Sequence, residues 1–387
     1  MARSGKPRKI LHYYGTNYGM TGVESFMLQL STAQKRAGLE PGISVDIERR
    51  EDLVRWVDKI DVPVYDFPGP VTISLPGVKK FARIASSLRR IGALRKILKS
   101  YDVLHVHAAG FTGTDALVAG ALARVSKIIV TNHMTVTAYR RYWRRLGSLT
   151  LWLVKRVADA SVMPYEKAAN ELLEVGLPPA MVRVIPYCVD EARFSGHNTP
   201  PEPGGPLKLI MVSRLHEGKG HDVLLDALGQ LKGKGRAVQL LIVGQGDTQS
   251  AIEQQIKTLG LQSMVEMRPH VDHATVPSLL RASHVIVLPS WMEGETFPLC
   301  LLEAALIGLP AIGARWNGIP SIIEDGKTGF VVTPQDPHDL AEAIDRFLLD
   351  PALYPRMSAL AKERALANYT ADKVAETYSA LYAESRP

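Results

Sequence analysis

The chain has 387 residues, 46% of them apolar and 22% charged, which is typical of an ordinary globular protein. This length exceeds what one small core organises, so two domains are expected. No run of about 18 apolar residues indicates a transmembrane helix, and the segment after Lys9 is too short and too aromatic for the core of a signal peptide. Only two cysteines, Cys188 and Cys300, argue against a disulfide framework and favour the reducing cytoplasm.

Positive charge is concentrated in the first half of the chain. Residues 1–200 carry 29 Lys/Arg and 17 Asp/Glu, whereas residues 201–387 carry 17 and 22. This asymmetry indicates that the first half faces something anionic, and the plain alternative is solvated surface charge.

Short apolar runs alternate with amphipathic stretches from the beginning of the chain. In the first predicted helix Phe26, Met27 and Leu30 share one face. The alternation predicts a parallel sheet with helices on both faces. Strands are predicted at Lys9–Tyr14, Ile43–Ile47, Val103–His107 and Lys127–Asn132, and helices at Val23–Ala37 and Glu51–Ile60.

A proline-rich segment, NTPPEPGGP (Asn198–Pro206), interrupts the pattern, because its four prolines and two glycines cannot lie inside a helix. We interpret it as an interdomain linker. After it the alternation restarts, with strands at Leu207–Val212, Val238–Val243, Val285–Leu288, Ala311–Gly313 and Gly329–Val332, and helices at Asp222–Lys232 and Thr248–Leu259.

The sequence therefore predicts two doubly wound α/β domains in series. The first spans residues 1–197, the linker 198–206 and the second domain 207–368. A final helix, within residues 369–387, has Val374, Tyr378, Leu381 and Tyr382 on one face and is predicted to return to the first domain.

Two glycine-containing turns follow predicted strands. Gly15, Gly19 and Gly22 precede the first helix, where glycines let a ligand approach the backbone and a helix N-terminus favours anions. Their spacing differs from the G-x-G-x-x-G pattern of nicotinamide-binding folds. Gly244 and Gly246 form the second turn. A purely structural turn explains either group equally well.

Two cations, Arg214 and Lys219, follow the first strand of the second domain and precede a helix. Cations at the carboxyl end of a strand, beside a helix start, suit a diphosphate. A solvated basic loop is the alternative.

Glu295 and Glu303 lie eight residues apart in the stretch EGETFPLCLLEA. Pro298 is tolerated in a first helical turn, so Glu295 is predicted in a loop and Glu303 inside a helix. Eight helical residues rise about 12 Å, whereas paired glycosidase carboxylates lie roughly 5–10 Å apart. The arrangement suits two hydroxyl groups on one extended ligand better than an acid/base pair. The peptide N–H groups of Thr296 and Phe297 would face negative charge between them.

The segment EGETFPLCLLEAALIGLPAIGARWNGIPSIIEDGKTGFVV resembles the donor-binding segment of the retaining glycosyltransferases of family 4, a large group with the GT-B fold. The E-x7-E signature is Glu295 and Glu303. The resemblance covers nearly the whole chain. Its other pieces are Gly318–Pro320, Glu324–Gly329, Arg214 with Lys219, VGQGD, His105 with His107, Thr131–His133, VIPYCVDEARF and Tyr369–Tyr382.

The resemblance implies a GT-B architecture, with two Rossmann-like domains facing a cleft, and a set of roles. Glu303 would bind the ribose hydroxyls, Glu295 the transferred sugar, and Arg214 and Lys219 the diphosphate. The catalytic residues it implies are His133, Arg214, Lys219 and Glu295. The donor-binding residues it implies are Gly22, Arg214, Lys219, Gly244, Arg268, His270, Glu295, Thr296, Phe297, Pro298, Leu299 and Glu303.

Some positions depart from the family pattern. Tyr187-Cys188 stands where the family has Asn-Gly, and Thr21-Gly22 replaces a glycine pair. Pro298 removes one backbone donor from the clamp. His133 is expected beside the sugar, orienting it or shaping charge rather than acting as a base; a hydrogen-bonded core histidine is the alternative.

The resemblance favours a retaining transferase that moves a sugar from a nucleotide-diphosphate sugar, with UDP-sugar as the default, to a hydroxyl acceptor. We expect it to need no cofactor and no metal ion. A GT-B phosphorylase, a nucleotide-sugar epimerase and a non-catalytic sugar-nucleotide-binding partner of another transferase remain alternatives.

The first domain adds two basic segments. Eight of the 22 residues from Val78 to Lys99 are Lys or Arg, interleaved with apolar residues at helical spacing. This pattern suits an anionic membrane surface, or a core-facing helix with a charged outer face. The second segment is YRRYWRR, Tyr139–Arg145. The candidates for acceptor or membrane contact are Lys79, Lys80, Arg83, Arg140, Arg141 and Arg144.

These segments suggest an anionic or lipid-linked acceptor. Aromatic residues among basic ones would also suit nucleic acid, but the phosphate-sugar clamp of the second domain argues against a nucleic-acid partner. The expected location is the cytoplasm, with peripheral contact at the inner face of the membrane.

Overall fold

A computed structural model describes residues 8–15, 22–45, 61–66, 79–108, 113–138, 147–269 and 271–385, without the side chains of residues 79–84 and 147–148. The chain forms two compact units. The first joins Met1–Cys188 with Ala371–Pro387, and the second is Val189–Thr370.

The first unit contains a parallel sheet with the strand order β3-β2-β1-β4-β5-β6-β7. The chain therefore builds outward from β1 in both directions, which is the doubly wound arrangement. The described strands are β1 (Lys9–Tyr13), β2 (Glu40–Val45), β3 (Val64–Asp66), β4 (Val103–Ala108), β5 (Lys127–Asn132), β6 (Ala160–Met163) and β7 (Val182–Val184).

Helices cover this sheet. The described ones are α1 (Gly22–Arg36), α2 (Lys79–Leu98), α3 (Thr114–Ala123), α4 (Gly147–Val157), α5 (Glu166–Glu174) and the last helix of the chain, α13 (Ala371–Ala383). Helix α13 packs on α1. Its residues Val374, Tyr378, Leu381 and Tyr382 are buried, as the apolar face predicted.

The second unit repeats the architecture, with the strand order β10-β9-β8-β11-β12-β13 and parallel pairing throughout. Its strands are β8 (Leu207–Val212), β9 (Val238–Val243), β10 (Val265–Arg268), β11 (Val285–Leu288), β12 (Ala311–Ala314) and β13 (Gly329–Val332). Its helices are α6 (His221–Gly233), α7 (Gln249–Thr258), α8 (Val276–Arg281), α9 (Leu299–Ile307), α10 (Ile319–Ile322), α11 (Pro337–Leu349) and α12 (Leu353–Asn368).

Local chemistry explains where these elements begin. Helix α11 starts with Pro337 after Asp336, whose side chain accepts hydrogen bonds from the backbone N–H groups of His338 and Asp339. The aspartate thereby satisfies two N–H groups that have no partner inside the helix. Strand β11 is buried along its whole length, as its unbroken apolar run requires in a sheet covered on both faces.

The prediction of two doubly wound α/β domains with a returning C-terminal helix is confirmed. The division between the units nevertheless falls at Cys188/Val189, before the predicted linker. Residues 198–206 lie inside the second unit, where the Asn198 amide donates to the backbone oxygen of Gly308 at 3.2 Å and also contacts the Tyr354 hydroxyl. Prolines can line a domain surface as readily as they connect two domains.

Two sequence predictions reach past the described residues. The helix predicted at Glu51–Ile60 lies outside them, as does the end of the strand predicted at Ile43–Ile47, which is seen as β2, Glu40–Val45. Among the described residues, the helices are all too short or too polar to span a bilayer.

Candidate functional site

The candidate donor site lies at the carboxyl edge of the second-unit sheet. Strands β8 and β11 are parallel neighbours at the centre of that sheet, and the strand order reverses between them. Arg214 and Lys219 follow β8, and Glu295 follows β11. The crevice outside such a switch point is where open α/β sheets bind their ligands.

The loops after β8 and β11 interlock through two glycines. Gly218 accepts hydrogen bonds from the Trp291 backbone at 2.8 Å and from the Ser290 hydroxyl at 3.1 Å. Gly220 has φ +84°, and a Cβ there would lie 2.4 Å from the backbone oxygen of Pro289. Only glycine allows this approach, and the approach fixes Lys219, between the two glycines, against the second loop.

The interlocked loops create a buried ion pair between Lys219 and Glu295. The distance from Lys219 Nζ to Glu295 Oε2 is 2.5 Å, and the side chains are 11% and 10% exposed. Lys219, which was predicted to bind the diphosphate, and Glu295, which was predicted to bind the sugar, therefore neutralise each other's charge. Arg214 is exposed and makes no ion pair with any residue that the structure describes.

A third loop, after β12, braces the one that carries Glu295. The Trp316 indole donates to the backbone oxygen of Met292 at 2.9 Å, and the Asn317 amide donates to Glu293 at 3.1 Å. The Gly318 backbone N–H donates to Thr296 at 3.1 Å. Because these bonds hold the backbone on both sides of Glu295, the carboxylate is positioned before any ligand arrives.

Helix α9 begins directly after this loop. Glu295 lies in the loop and Glu303 in the helix, as the sequence predicted, but Pro298 is the residue before the helix rather than part of its first turn. Its ψ of 117° is extended, so the helical conformation begins at Leu299. The residues on either side of Pro298, namely Thr296, Phe297 and Leu299, are buried. The start of a helix favours an anion through its backbone N–H groups, although here the Leu301 N–H donates to the Pro298 backbone oxygen at 3.2 Å.

Glu303 is a buried carboxyl group with no hydrogen-bond donor paired to it among the described residues. It is 5% exposed. Burial raises the pKa of Glu303 to about 7, and the positive charge of Arg193 opposes the rise. A buried carboxyl group normally has hydrogen-bond partners, which makes Glu303 a candidate ligand-binding residue.

The glycine turn after β9 has a reason within the protein itself. Gly244 has φ +141°, and a Cβ there would lie 1.9 Å from the backbone oxygen of Ser213. Glycine is thus required by the neighbouring loop, which agrees with the structural reading of this turn; contact of Gly244 with donor stays a prediction. Arg268 ends β10 and is ion-paired with Glu266 at 2.5 Å. His270 lies outside the described residues.

In the first unit, Gly22 is exposed and opens α1. His133 follows β5 and is 5% exposed. Its Nδ1 is hydrogen-bonded to the Tyr187 hydroxyl at 2.6 Å, and its Nε2 to Nδ1 of His107 at 3.1 Å. Burial lowers the pKa of His133 to about 3. With both nitrogens paired inside the protein, His133 matches the core-histidine alternative and is poorly suited to act as a base; its contact with sugar stays a prediction.

Three histidines of the first unit come close enough to be considered as metal ligands. Ring nitrogens of His12, His105 and His107 lie within 4.8 Å of one another. Each of these residues, however, uses both ring nitrogens in hydrogen bonds to other side chains. A metal ion would have to displace these bonds.

The predicted acceptor and membrane residues are described only in part. Lys79, Lys80 and Arg83 lie on α2, but their side chains are not among those described. The other three candidates, Arg140, Arg141 and Arg144, lie outside the described residues.

Sequence reasoning missed the residues that hold the site together. Trp316 and Asn317 brace the Glu295 loop, and Arg193 influences Glu303. Asn317 carried a weak local signal, because asparagine is enriched among non-glycine residues with positive φ, and its φ here is 45°. The fold defines a two-domain α/β protein whose second unit places the Lys219–Glu295 pair at the carboxyl edge of its sheet, with the start of α9 following in the chain.

Two family models match consecutive halves of the chain. The model for Glycosyltransferase Family 4 matches residues 20–193, and the model for glycosyl transferases group 1 matches residues 195–364. The chain belongs to these glycosyltransferases.

Curated relatives show the same similarity. The chain is 30% identical over 176 residues to an alpha-D-kanosaminyltransferase of Streptomyces kanamyceticus, a stretch that covers 46% of this chain and 45% of the relative. It is 26% identical over 401 residues to a D-inositol 3-phosphate glycosyltransferase of Actinosynnema mirum, covering 94% and 92%. The chain spans about half the length of some curated relatives it matches.

Among solved structures, the chain is similar to Anabaena Alr3699/HepE in complex with UDP and glucose. The TM-score is 0.79 at 17% identity, and the match covers 98% of this chain and 100% of that one. This likeness concerns the fold, which is the predicted GT-B fold.

Proposed function

We propose that the protein is a retaining glycosyltransferase that moves a sugar from a nucleotide-diphosphate sugar to a hydroxyl acceptor. The observation that carries the proposal is the buried Lys219–Glu295 pair at the switch point of the second-unit sheet. Arg214, the start of α9 and the buried Glu303 lie in the same unit. Together they offer cations for a diphosphate and carboxylates for hydroxyl groups at its two ends.

The proposed donor roles are those that the family resemblance implies, and this distribution of charge supports them. Arg214 and Lys219 bind the diphosphate, and Glu295 orients the sugar. Glu303, whose pKa is raised to about 7, accepts hydrogen bonds from the ribose hydroxyls. The UDP complex of the structural neighbour HepE supports UDP as the nucleotide. The base lies against residues 267–271, which include Arg268 and His270.

Stabilisation of the leaving group is the main catalytic effect. As the sugar–oxygen bond breaks, negative charge grows on the diphosphate, and Arg214, Lys219 and the N-terminus of α9 stabilise that charge without reorganising. The acceptor hydroxyl attacks from the side of the leaving group, which retains the anomeric configuration, and the diphosphate takes its proton. Cations from the chain do what a divalent ion does in other transferases.

The proposal is tested with a panel of nucleotide diphosphates and nucleotide sugars. One diphosphate, with UDP favoured, is expected to raise the melting temperature, and its sugar conjugates to be hydrolysed slowly without acceptor. A melting temperature that no nucleotide changes would contradict the proposal. Because binding stabilises the folded state by mass action, the shift should grow with ligand concentration.

The products of the same assays separate the alternatives. A phosphorylase would release sugar phosphate from a disaccharide and inorganic phosphate, with no nucleotide required. An epimerase would change the sugar of the donor without releasing nucleotide. A non-catalytic partner would bind a nucleotide and convert nothing.

The acceptor is proposed to be anionic or lipid-linked, presented at a membrane surface. Helix α2 packs on α3, and α3 packs on α4, so that these helices form one layer. Four large apolar side chains of this layer are exposed, and they are Leu88 (64%), Leu122 (52%), Leu149 (55%) and Trp152 (54%). Exposed cations lie on or directly after two of these helices, namely Arg89, Arg95, Lys96, Lys99, Lys155 and Arg156. Apolar groups among cations suit an anionic lipid surface.

Replacing Leu149 and Trp152 together by serine is expected to weaken binding to phosphatidylglycerol-containing vesicles about tenfold or more, because each loses apolar area from the interface. Co-sedimentation measures the effect. Leu349, which is 63% exposed in the second unit, gives the matched control, Leu349→Ser. Equal partitioning of the native protein, the double variant and the control would overturn the proposed contact of Leu149 and Trp152 with the membrane. Binding that is insensitive to salt would overturn the proposed attraction between the cations and the anionic lipid.

A further inference from the structure

A chain of hydrogen bonds runs through the core of the first unit, from Tyr187 to helix α13. His12 lies on β1 opposite His105 on the neighbouring β4, and His107 lies two residues further along β4. His133 follows β5, which pairs with β4. All four histidines are buried, and none is more than 5% exposed.

The first part of the chain joins three rings. The Tyr187 hydroxyl is 2.6 Å from His133 Nδ1, His133 Nε2 is 3.1 Å from His107 Nδ1, and His107 Nε2 is 3.0 Å from His12 Nδ1. His12 Nε2 is then 2.7 Å from Oε1 of Gln34, on α1. Every step joins the Nε2 of one ring to the Nδ1 of the next, so the rings are connected in a single direction.

The second part leads into the C-terminal helix. The Gln34 amide nitrogen donates to the Tyr382 hydroxyl at 3.2 Å, and that hydroxyl is 2.7 Å from His105 Nδ1. His105 Nε2 is 2.7 Å from the Thr131 hydroxyl. Gln34 therefore sits where the two parts meet, with its oxygen toward the histidines and its nitrogen toward Tyr382.

The chemistry of the imidazole ring determines which nitrogen of each histidine carries the proton. Burial lowers the pKa of all four histidines, so the rings are neutral at ordinary pH. A neutral ring has one donor and one acceptor nitrogen. The Gln34 oxygen can only accept, so His12 donates from Nε2 and accepts at Nδ1. The same rule then places the proton on Nε2 of His107 and of His133.

We propose that Gln34 is a positioning residue for His133, acting through His12 and His107. It holds the three rings in the tautomer protonated at Nε2, which leaves His133 Nδ1 as the acceptor of the Tyr187 hydroxyl. A mixed set of tautomers would bring two N–H groups or two lone pairs face to face in a dry core, at the cost of unpaired polar groups. The three rings therefore change tautomer together or not at all. The bearing on turnover rests on the proposed function and on the prediction, implied by the family resemblance, that His133 lies beside the sugar.

The test uses the full-length protein labelled with ¹⁵N, and two-bond proton–nitrogen spectra that distinguish the tautomers of each imidazole. In the native protein His12, His107 and His133 are expected to be protonated at Nε2. Gln34→Met removes the acceptor, and all three rings are expected to shift their proton to Nδ1. Gln34→Glu keeps an acceptor and is expected to retain the native tautomer, which also covers the case in which the methionine variant fails to fold.

Tyr378→Phe is the matched control. Tyr378 is fully buried on α13, and its hydroxyl is 2.9 Å from that of Thr131, outside the path between Gln34 and His133. Its loss is expected to leave the three tautomers unchanged. A tautomer change confined to His12 in Gln34→Met would overturn the proposal. A different tautomer in Gln34→Glu, or zinc titration that displaces the imidazole protons of the native protein, would do the same.

Turnover separates this inference from the proposed function. Gln34→Met is expected to lower kcat on the order of tenfold with KM for the donor unchanged, which is the size of the effect when a metal-bound histidine loses its hydrogen-bond partner. Reversed tautomers with native kcat would overturn the positioning role while leaving the transferase proposal intact. If the native protein binds no nucleotide, the transferase proposal is overturned while the tautomer assignment stands.

Discussion

Replacing Lys219 by methionine is expected to lower kcat by about a hundred- to a thousandfold, the range for removing one group that stabilises transition-state charge. Methionine keeps the length of the side chain and removes its charge. Steady-state turnover of the donor measures the effect. Lys257→Met, at an exposed position of α7, is the matched control and should leave kcat unchanged.

The same substitution has a structural effect that must be separated from the chemical one. Lys219 and Glu295 are a buried pair, and removing one partner leaves a buried charge, at a cost of about 3–5 kcal/mol. The double variant Lys219→Met/Glu295→Gln removes both charges. Its melting temperature is expected to lie close to that of the native protein, whereas its kcat is expected to stay as low as that of Lys219→Met. Near-native turnover in the double variant would refute the diphosphate role of Lys219.

Glu303→Gln is expected to weaken nucleotide binding at pH 8 by about 1.5–3 kcal/mol, or roughly ten- to a hundredfold, because hydrogen bonds to a charged acceptor are lost. Binding of the native protein should weaken as pH falls from 8 to 6, because the pKa of Glu303 is about 7 and hydroxyl donors prefer the ionised form. Calorimetric titrations at both pH values measure the two effects. The glutamine variant should lack this pH dependence; an identical pH profile would contradict the role of Glu303.

The stability of the ligand-free protein should fall as pH rises, whereas nucleotide binding should strengthen. The pKa of Glu303 is raised from 4.5 to about 7 on folding, so its favourable contribution is complete below pH 4.5 and is lost as pH rises through 7. Above pH 7 the buried carboxylate costs about 3 kcal/mol. Glu303→Gln is therefore expected to melt a few degrees higher than the native protein at pH 8, with a smaller difference at pH 6. In this proposal, the ionised Glu303 lowers the stability of the folded protein and raises its affinity for the nucleotide.

Features of this chain that depend on neighbouring residues could be predicted from the sequence, whereas contacts between distant residues could not. The first and last residues of strand Leu207–Val212 were predicted correctly, because a short apolar run bounded by polar residues can be recognised without knowledge of a distant partner. The placement of Glu295 in a loop and Glu303 in a helix followed from Pro298 in the same way.

The ion pair between Lys219 and Glu295 could not be predicted by such reasoning. It joins residues 76 positions apart and depends on the order of β8 and β11 in the sheet and on the approach of Gly220 to Pro289. The same limit applies to the bond between His12 and His107, which are 95 positions apart. Apolar periodicity indicates that a strand is buried, but it does not indicate which strand lies beside it.

Placement of helix α13 in the first unit has a consequence for the order in which the nascent protein matures on the ribosome. The hydroxyls of Tyr378 and Tyr382 pair with Thr131 and His105 deep in that unit. All of Val189–Thr370 must be translated before these tyrosines emerge. Domains generally mature in the order in which they are made, but here the unit translated first is the last to be completed.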